Sequence, residues 1–505
     1  MRKTVIILMI LTILSKIFGF GREITLSYFF GASNISDAYL ISLTIPTVIF
    51  SFVGIALQTT YIPLYSDILK NKGQTLGNQF TNKVILSLMI VSTLIVIIVL
   101  GFTTQIVKMF ASGFTGETLK LAIQLTRITT LGVYFIGTNY IFEAYLQVSK
   151  NYIVPAMVGF PLNFMIVLSI IIGARSDYRI LGFGQILGVI SQLILLVFFM
   201  YKEGYRFNFH IDLFDKNMYN LLYLSIPVML GTSVNQINKL VDRTIASNII
   251  EGGISALVYA NRLNLFIQGI FVLSISTVMY PQISRMAVSK DITGLKNSLI
   301  KSIRAICILI LPVTVGSVLF SKPIIRLLFG RGAFGSSEVQ LTANALLFYS
   351  IGMIGFGLRE VLSRAFFSMK YTKTPMINAV IGMTLNIILN IILSKYLGIG
   401  GLALATSISA LVTTGLLYVS LKHRIGALGI RTIMKDIIKV TLASLIMGFF
   451  ATLGYMELLN WIGEVFALIL SVILGALSYL VIITIMGIDD IKDIICSAIY
   501  KFFER

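Results

Sequence analysis

Residues 36–66 of the chain read SDAYLISLTIPTVIFSFVGIALQTTYIPLYS, and a related stretch returns 218 residues later as ISALVYANRLNLFIQGIFVLSISTVMYPQIS, residues 254–284. The identical pairs include Ala38 and Ala256, Thr59 and Thr277, Pro63 and Pro281, and Ser66 and Ser284. Each stretch exceeds the ~20 residues that an apolar helix needs to cross the hydrocarbon core of a bilayer. The two stretches therefore predict a membrane protein that contains an internal repeat.

The repeat extends beyond these helices at nearly the same spacing. An offset of 220 residues pairs Gly132 with Gly352, Gly137 with Gly357, Lys150 with Lys370, and Pro155 with Pro375. Because six spans separate the two copies, both halves enter the membrane in the same direction, as in parallel repeats. We predict one six-helix half over residues 1–210, a second over 211–430, and two further helices in 431–505.

The composition is typical of the same class. Of the 505 residues, 57% are hydrophobic and 12% are charged, and the mean hydropathy is +0.92, well above that of soluble domains. We predict an all-α integral membrane protein with 14 transmembrane helices: two parallel-repeat halves plus two C-terminal helices, around a central cavity. The predicted spans are about 4–30, 37–66, 84–107, 121–148, 152–174, 180–201, 218–249, 254–284, 305–321, 340–368, 375–394, 401–421, 440–456 and 465–488.

The basic residues predict the orientation of these spans. With the N-terminus inside, 24 of the 40 Lys and Arg fall in cytoplasmic segments, eight in outer segments and eight within spans. This bias follows the positive-inside rule, so both termini are expected in the cytoplasm. The net charge of +19 is then a property of membrane loops and gives no reason to expect a nucleic-acid partner.

Sequence motifs of enzymes are missing. The chain has no GxxxxGK[ST], HExxH, GxSxG or paired-cysteine pattern, and its cysteines, Cys307 and Cys496, and histidines, His210 and His423, are far apart in sequence. We therefore expect a transporter without a bound cofactor, driven by an ion gradient rather than by its own ATP hydrolysis. The apolar run after MRK is expected to be a retained first helix, because no small-residue cleavage site follows it.

Charged residues within the spans are concentrated in the first two helices of each half. They are Lys16, Arg22 and Glu23 in span 1, Asp37 at the start of span 2, Lys239, Asp242 and Arg243 in span 7, and Arg262 in span 8. A mid-membrane charge costs at least ~2.5–3.5 kcal/mol, so such residues usually face a bundle interior or a wet cavity. Two interpretations stay open: structural ion pairs, or a cavity whose basic residues bind an anion such as phosphate, which suits arginine's planar fork.

A second, smaller charged set lies in spans 4 and 10. Its members are Arg127, Glu143, Arg359, Glu360 and Arg364. We interpret this set as structural ion pairs or as contacts of an inner gate.

Several stretches resemble the lipid II flippase (MurJ/MviN) family of the multidrug/oligosaccharidyl-lipid/polysaccharide exporter superfamily. They are SKIFGFGREITLSYFFGASNISDAYLISLTIP, YIPLYSDI, VYANRLNLFIQGI, MYPQISRMA and TPMINAVIGMTLNIILN, in matching order. The resemblance implies a flippase in the bacterial plasma membrane that moves undecaprenyl-pyrophosphate-linked peptidoglycan precursor from the inner to the outer leaflet by alternating access. It also implies a groove for the polyprenyl tail at spans 13 and 14, which are otherwise expected to be lipid-facing anchors.

The resemblance assigns roles to individual residues. Lys16, Arg22 and Arg262 fall at family cavity arginines and would hold the pyrophosphate, while the acidic Asp37 and Glu23 would orient or release these bases. Two positions depart from the family pattern: Phe50 replaces an arginine of helix 2, and Leu265 replaces an acidic residue of helix 8. Lys16 keeps the charge but loses the bidentate fork.

A sodium site is also implied by the resemblance. Asn386 and Asn390, one turn apart, Thr406 and the carbonyl of Leu402 match the family spacing, with Asp242 as the carboxylate. Oxygen ligands suit a hard cation such as Na⁺, here a coupling ion. Ordinary hydrogen bonds between asparagines of neighbouring helices are the alternative.

Three other functions compete with lipid II flipping. The first is export of another polyprenyl-linked oligosaccharide, and the second is extrusion of drugs coupled to a cation. The third is a non-transporting scaffold for cell-wall synthesis or division proteins. A drug extruder is expected to have twelve spans and a more acidic cavity, and the sequence has neither.

Overall fold

The computed structural model describes residues 2–207 and 215–487. These residues contain seventeen helices and no other regular element, which confirms the predicted all-α class. The helices are α1 (Arg2–Phe30), α2 (Asn34–Gly101), α3 (Thr103–Phe110), α4 (Gly116–Thr130), α5 (Val133–Val148), α6 (Ile153–Met157), α7 (Gly159–Gly173), α8 (Arg179–Lys202), α9 (Lys216–Ser247), α10 (Gly253–Val288), α11 (Ile292–Leu319), α12 (Ser321–Leu328), α13 (Ser336–Ile351), α14 (Met353–Ser368), α15 (Lys373–Ile425), α16 (Ile430–Ile462) and α17 (Glu464–Ile485). Cys496 and His210 lie outside the described residues.

Two of these elements each combine two predicted spans. At 68 residues, α2 would be about 100 Å long as one straight helix, more than three times the thickness of a hydrocarbon core. Gly73 (φ 81°) and Gly398 (φ 56°) have non-helical conformations, which need a left-handed φ that glycine adopts without a Cβ penalty. Each glycine therefore separates two spans, spans 2 and 3 in α2 and spans 11 and 12 in α15.

The length and composition of the helices give fewer candidate membrane spans than the sequence predicts. In the described part of the chain, seven helices are long and apolar enough to cross a membrane. The bent pairs α4 with α5 and α13 with α14 raise this number to nine if each pair is one span. The chain is a multi-pass membrane protein, and the count of fourteen stays a prediction.

The internal repeat is visible in the geometry of the helices. The pairs α4 with α5 and α13 with α14 are both bent by 44°. Both α3 and α12 are eight residues long, and Lys150 and Lys370, which the 220-residue offset aligns, have the same left-handed conformation at φ 64° and 65°. Equivalent turns thus follow equivalent helices in the two copies.

The described residues form two compact units. Unit 1 contains the residues up to Ala256 together with Arg331–Glu338, and unit 2 contains Leu257–Gly330 and the residues from Val339 onward. This division by packing does not test the boundaries that the repeat suggests, and 1–210, 211–430 and 431–505 stay predictions.

One end of unit 1 is filled by buried aromatic rings. Tyr61 stacks on Tyr65 with ring centroids 5.2 Å apart, and Tyr65 contacts Tyr145 of α5 at 5.1 Å. The side-chain nitrogen of Gln74 donates to the Tyr145 hydroxyl at 2.7 Å, so the polar ends of the rings are satisfied within the cluster. Rings of this size dominate the energetics of a core.

In unit 2 the C-terminal pair α16 and α17 is joined to the rest by polar contacts near both of its ends. Arg304 of α11 forms an ion pair with Asp436 of α16 at 2.7 Å. Arg326 of α12 donates to both carboxylate oxygens of Glu464 in α17, at 3.1 and 2.9 Å. These contacts fix the two helices that the sequence predicts as an appendage of the second half.

Candidate functional site: charged residues within the helices

Between residues 4 and 30, the charged residues of α1 are a buried ion pair and one lysine. The Arg22 guanidinium approaches the Glu23 carboxylate at 2.6 Å, and the side chains are 15% and 1% exposed. Lys16, which is half-buried, lies six residues earlier, about 9 Å along the helix axis. A charge-assisted contact of this length orients the guanidinium while its remaining N–H groups can serve another anion.

Tyr39 of α2 joins this group and was missed by the sequence reasoning. It interacts electrostatically with both Arg22 and Glu23. Its hydroxyl is buried and has no hydrogen-bond partner within residues 2–207 and 215–487. An unsatisfied buried hydroxyl costs about 1–3 kcal/mol, so it is a candidate contact for a polar ligand. The sequence gives no signal for it, because a tyrosine in an apolar span is usually a packing residue.

Asp37 is placed in a structural role. Its carboxylate is 2% exposed and accepts from the Ser255 backbone N–H at 2.7 Å and from the Ser255 hydroxyl. The backbone N–H groups of Gly252 and Ile254 contribute further hydrogen bonds. Asp37 therefore caps the N-terminus of α10, where a carboxylate is favoured by unsatisfied N–H groups and by the helix dipole.

The partner of Asp37 follows from the repeat. Ser255 is the residue that the 218-residue offset aligns with Asp37, so equivalent positions of the two copies touch each other. Ser36 adds a hydroxyl contact to Ser255 at 3.1 Å. The alignment of the two copies therefore contained the signal for a cap that joins α2 to α10, and the contact of Asp37 with substrate stays a prediction.

The charged residues of α9 lie near its end. Arg243 donates to the backbone carbonyl of Leu40 in α2 at 3.0 Å. One residue later, Thr244 donates to the Met109 carbonyl at 2.9 Å. Arg243 thus ties α9 to α2; Asp242 is its neighbour in sequence, and Lys239 lies one turn earlier on the same helix.

The two departures from the family pattern differ in environment. Phe50 is completely buried, and a Cβ on Gly137 of α5 would meet its ring at 2.5 Å, so this position is packed against α5. In unit 2, Arg262 and Leu265 are both exposed and lie three residues apart on α10. They therefore share one face of that helix.

The second charged set is divided between the units. In unit 2, Arg364 donates to Glu360 at 2.7 Å, one turn away on α14, and Arg359 interacts electrostatically with the same carboxylate. This arrangement agrees with structural ion pairing. In unit 1, Arg127 donates to the Thr103 hydroxyl at 3.4 Å and Glu143 accepts from Gln58, so these two residues bind different neighbours.

Four of the five predicted sodium ligands meet in unit 2. The Asn390 side-chain amide donates to the Asn386 side-chain oxygen (Oδ1) at 2.9 Å, and the Asn386 amide donates to the Thr406 hydroxyl at 3.2 Å. That hydroxyl donates to the backbone carbonyl of Leu402 at 2.9 Å. Asp242, the fifth, belongs to unit 1. The four residues provide neutral oxygen atoms, which are suitable ligands for hard cations. The same residues are also hydrogen-bonded to one another.

These features define a multi-pass membrane protein of the transporter class, and the comparisons identify its family. A family model described as lipid II flippase MurJ matches residues 26–473. A probable lipid II flippase MurJ of Buchnera aphidicola subsp. Baizongia pistaciae is 31% identical over 430 residues, 82% of this chain and 82% of that protein. The chain therefore belongs to the lipid II flippase MurJ family, and the predicted family is confirmed.

Solved structures agree with this assignment. A lipid II flippase MurJ in an inward closed conformation matches with a TM-score of 0.83 and 29% identity, covering 95% of this chain and 98% of that one. An inward-facing multidrug resistance MATE family transporter of the MOP superfamily matches at 0.69 with 14% identity, covering 82% and 95%. The second match is a likeness of fold alone.

Proposed function

We propose that this chain is a lipid II flippase, which carries undecaprenyl-pyrophosphate-linked peptidoglycan precursor from the inner to the outer leaflet by alternating access. The observation that carries the proposal is the family match over residues 26–473, nearly the whole described chain. The buried Arg22–Glu23 pair adds a physical reason, since it sets a guanidinium inside a span where only an anion or water would repay its desolvation.

The basic residues would act on the pyrophosphate. Arg22 provides a planar fork, Lys16 a point charge on the same helix, and Arg262 an exposed guanidinium on α10. Glu23 would pair with Arg22 before substrate binds, and the ion pair would form again after substrate is released. Asp37 serves instead to hold the start of α10.

We extend the proposal to the coupling ion. The amide oxygens of Asn386 and Asn390, the Thr406 hydroxyl and the Leu402 carbonyl would hold Na⁺. Binding and release of Na⁺ would couple the free energy of the sodium gradient to the return of the transporter to its starting state. Replacing Na⁺ by K⁺ in a transport assay should then slow the wild type but leave an Asn386→Ala variant unchanged. Equal rates for the wild type in both ions would contradict sodium coupling.

We also propose that the protein lies in the bacterial plasma membrane with both termini in the cytoplasm. The positive-inside bias supports this orientation. Cell-wall synthesis or division proteins are the proposed protein partners, because the flipped precursor must be handed to enzymes that consume it at the outer leaflet.

Complementation tests the function. A bacterium depleted of its resident lipid II flippase would receive the wild type, Arg22→Ala or Arg262→Ala, with Arg175→Ala as a control that removes an exposed arginine from an outer turn. We expect rescue by the wild type and the control, and failure of the two cavity variants at equal membrane abundance. A well-expressed wild type that does not rescue would argue that the substrate is another polyprenyl-linked glycan. The departures at Phe50 and Leu265 would then support a different substrate.

A further inference from the structure

Unit 2 contains a cavity that none of the functional residues above explains. Its volume is about 900 Å³, and it lies where α10 and α14 end, where α11 and α15 begin, and beside the last turn of α15. The polar residues that line it are Lys290, Tyr371, Thr374, Ser420, His423 and Arg424. The charge bias of the sequence predicts that this end faces the cytoplasm.

The lining of the cavity is basic. Lys290 and Arg424 contribute positive charge, Thr374 and Ser420 contribute hydroxyl groups, and none of the described lining residues is acidic. Asp291, next to Lys290 in sequence, is used elsewhere, since its carboxylate accepts from the Gly294 N–H at 2.8 Å and caps α11. The cavity therefore presents donors and positive charge, and the neighbouring carboxylate of Asp291 is engaged in a helix cap.

Arg424 is held in position by an aromatic ring. Its guanidinium carbon lies 3.9 Å from the ring centroid of Tyr371, which lies in the turn before α15. Stacking of this kind covers one face of the guanidinium and leaves its N–H edge for hydrogen bonding. The side chain is thereby preorganised, and less conformational entropy is lost when it binds an anion.

The two copies of the internal repeat have different side chains near this end of the helices. In unit 1 the corresponding end is filled by Tyr65 and Tyr145. The two offsets align these tyrosines with Ile283 and Ala365, which are buried but much smaller. Ile283 and Ala365 belong to a hydrophobic core of unit 2 that also contains Leu295 and Ile425, and the last two line the cavity, so the basic side chains lie at the edge of this core.

We propose that this cavity binds a phosphate group, carried either by an anionic lipid headgroup or by a soluble phosphorylated compound. Arginine pairs with phosphate through two parallel hydrogen bonds, lysine adds a point charge, and serine and threonine hydroxyls complete the oxygen contacts. A volume of about 900 Å³ accommodates a headgroup or a small phosphorylated molecule. This cavity does not include the proposed substrate-binding residues on α1. Its ligand would regulate the protein or make its activity depend on lipid, and would not be the transported substrate.

The test uses the purified full-length chain. Native mass spectrometry would count bound phosphatidylglycerol and phosphatidylcholine, and calorimetry would measure the affinity for inorganic pyrophosphate. The cavity variant is Lys290→Gln/Arg424→Gln. The matched control is Lys70→Gln/Lys72→Gln, which removes the same charge from exposed positions of unit 1 just before Gly73. Thermal unfolding of both variants verifies that they fold.

We expect saturable binding of phosphatidylglycerol or of pyrophosphate, weakened about tenfold or more in the cavity variant and less than about twofold in the control. Arg424→Lys keeps the charge but loses the fork and the stacking, so it should weaken binding severalfold. Binding of the lipid alone identifies a headgroup as the source, and binding of pyrophosphate alone identifies a soluble one. Equal weakening in both double variants, or no saturable binding of either anion, would overturn the proposal.

Discussion

Two of the arginine–glutamate pairs in the described part of the chain join neighbours on a single helix, and their physical settings differ. Arg22 and Glu23 are adjacent on α1, and the Glu23 side chain is almost completely buried. Arg364 and Glu360 lie one turn apart on α14, with 27% and 40% of their side chains exposed. The second arrangement is the ordinary one on helix surfaces and contributes about 0.3–0.5 kcal/mol.

The first pair has the less favourable setting. A buried ion pair loses hydration that its own attraction repays only with excellent geometry and further hydrogen bonds. Charge alone therefore does not distinguish a site from a structural contact in this membrane protein. Burial without the standard helix spacing, combined with the unsatisfied hydroxyl of Tyr39, is the reason for proposing a site at the pair on α1.

The largest expected effect is at Arg22. Arg22→Ala removes the proposed phosphate contact and should reduce lipid II transport roughly 100-fold, the value of a bidentate charge-assisted contact. Arg364→Ala should stay within about twofold, because its pair is exposed. Transport rates of the two variants at equal protein amount make the comparison direct.

A double variant separates folding from function in this comparison. Arg22→Ala leaves Glu23 without this cation and is expected to destabilise the protein by a few kcal/mol. Arg22→Ala/Glu23→Ala should recover the melting temperature without recovering transport. Recovery of both would show that the pair is structural, like the one on α14.

Asp37 provides the second test. Asp37→Ala removes the cap of α10 and should destabilise the protein by about 1–2 kcal/mol, whereas Asp37→Asn keeps an oxygen acceptor and should lose less than half of that. Thermal unfolding measures both variants. Transport should follow stability in each. If Asp37→Asn is as stable as the wild type but inactive, the carboxylate acts on substrate after all.

Tyr39→Phe is expected to have a smaller effect. The hydroxyl has no partner within the described ranges, so its removal should leave the melting temperature equal or slightly higher. If substrate provides the partner, transport should fall severalfold, mainly through a higher KM. A variant with unchanged transport would exclude Tyr39 from the site.

The smallest expected effect is at a contact outside the membrane. Burial opposes the ionised form of Asp215, but hydrogen bonds from the Met218 N–H and from Lys83 outweigh it and lower the pKa of the Asp215 carboxyl. A lowered pKa stabilises the folded state above the unfolded value of about 3.9, and this contribution is lost as the pH falls through the folded value. Asp215→Asn should therefore lower the melting temperature by a few degrees at pH 7 and by progressively less as the pH falls below about 3.9.

The sequence predicted the class, the family and the helices that carry charge, because apolar length, basic loops and repeated motifs are local signals. It did not predict the cap at Asp37 as its main role, since the partner Ser255 is 218 residues away. It also missed Tyr39, whose importance arises from what surrounds its hydroxyl. The bends between α4 and α5 and between α13 and α14 lie at Gly132 and Gly352, but glycine is too common in membrane helices to predict a bend by itself.

Direct measurement of lipid II movement tests the central claim. The purified chain would be reconstituted into liposomes that contain fluorescent lipid II, and a membrane-impermeant quencher would report the fraction of label reaching the outer surface. We predict translocation by the wild type well above that of protein-free liposomes, and a return to the protein-free level for Arg22→Ala/Glu23→Ala. Translocation by the double variant at the wild-type rate would contradict the claim that the buried pair on α1 is the substrate contact.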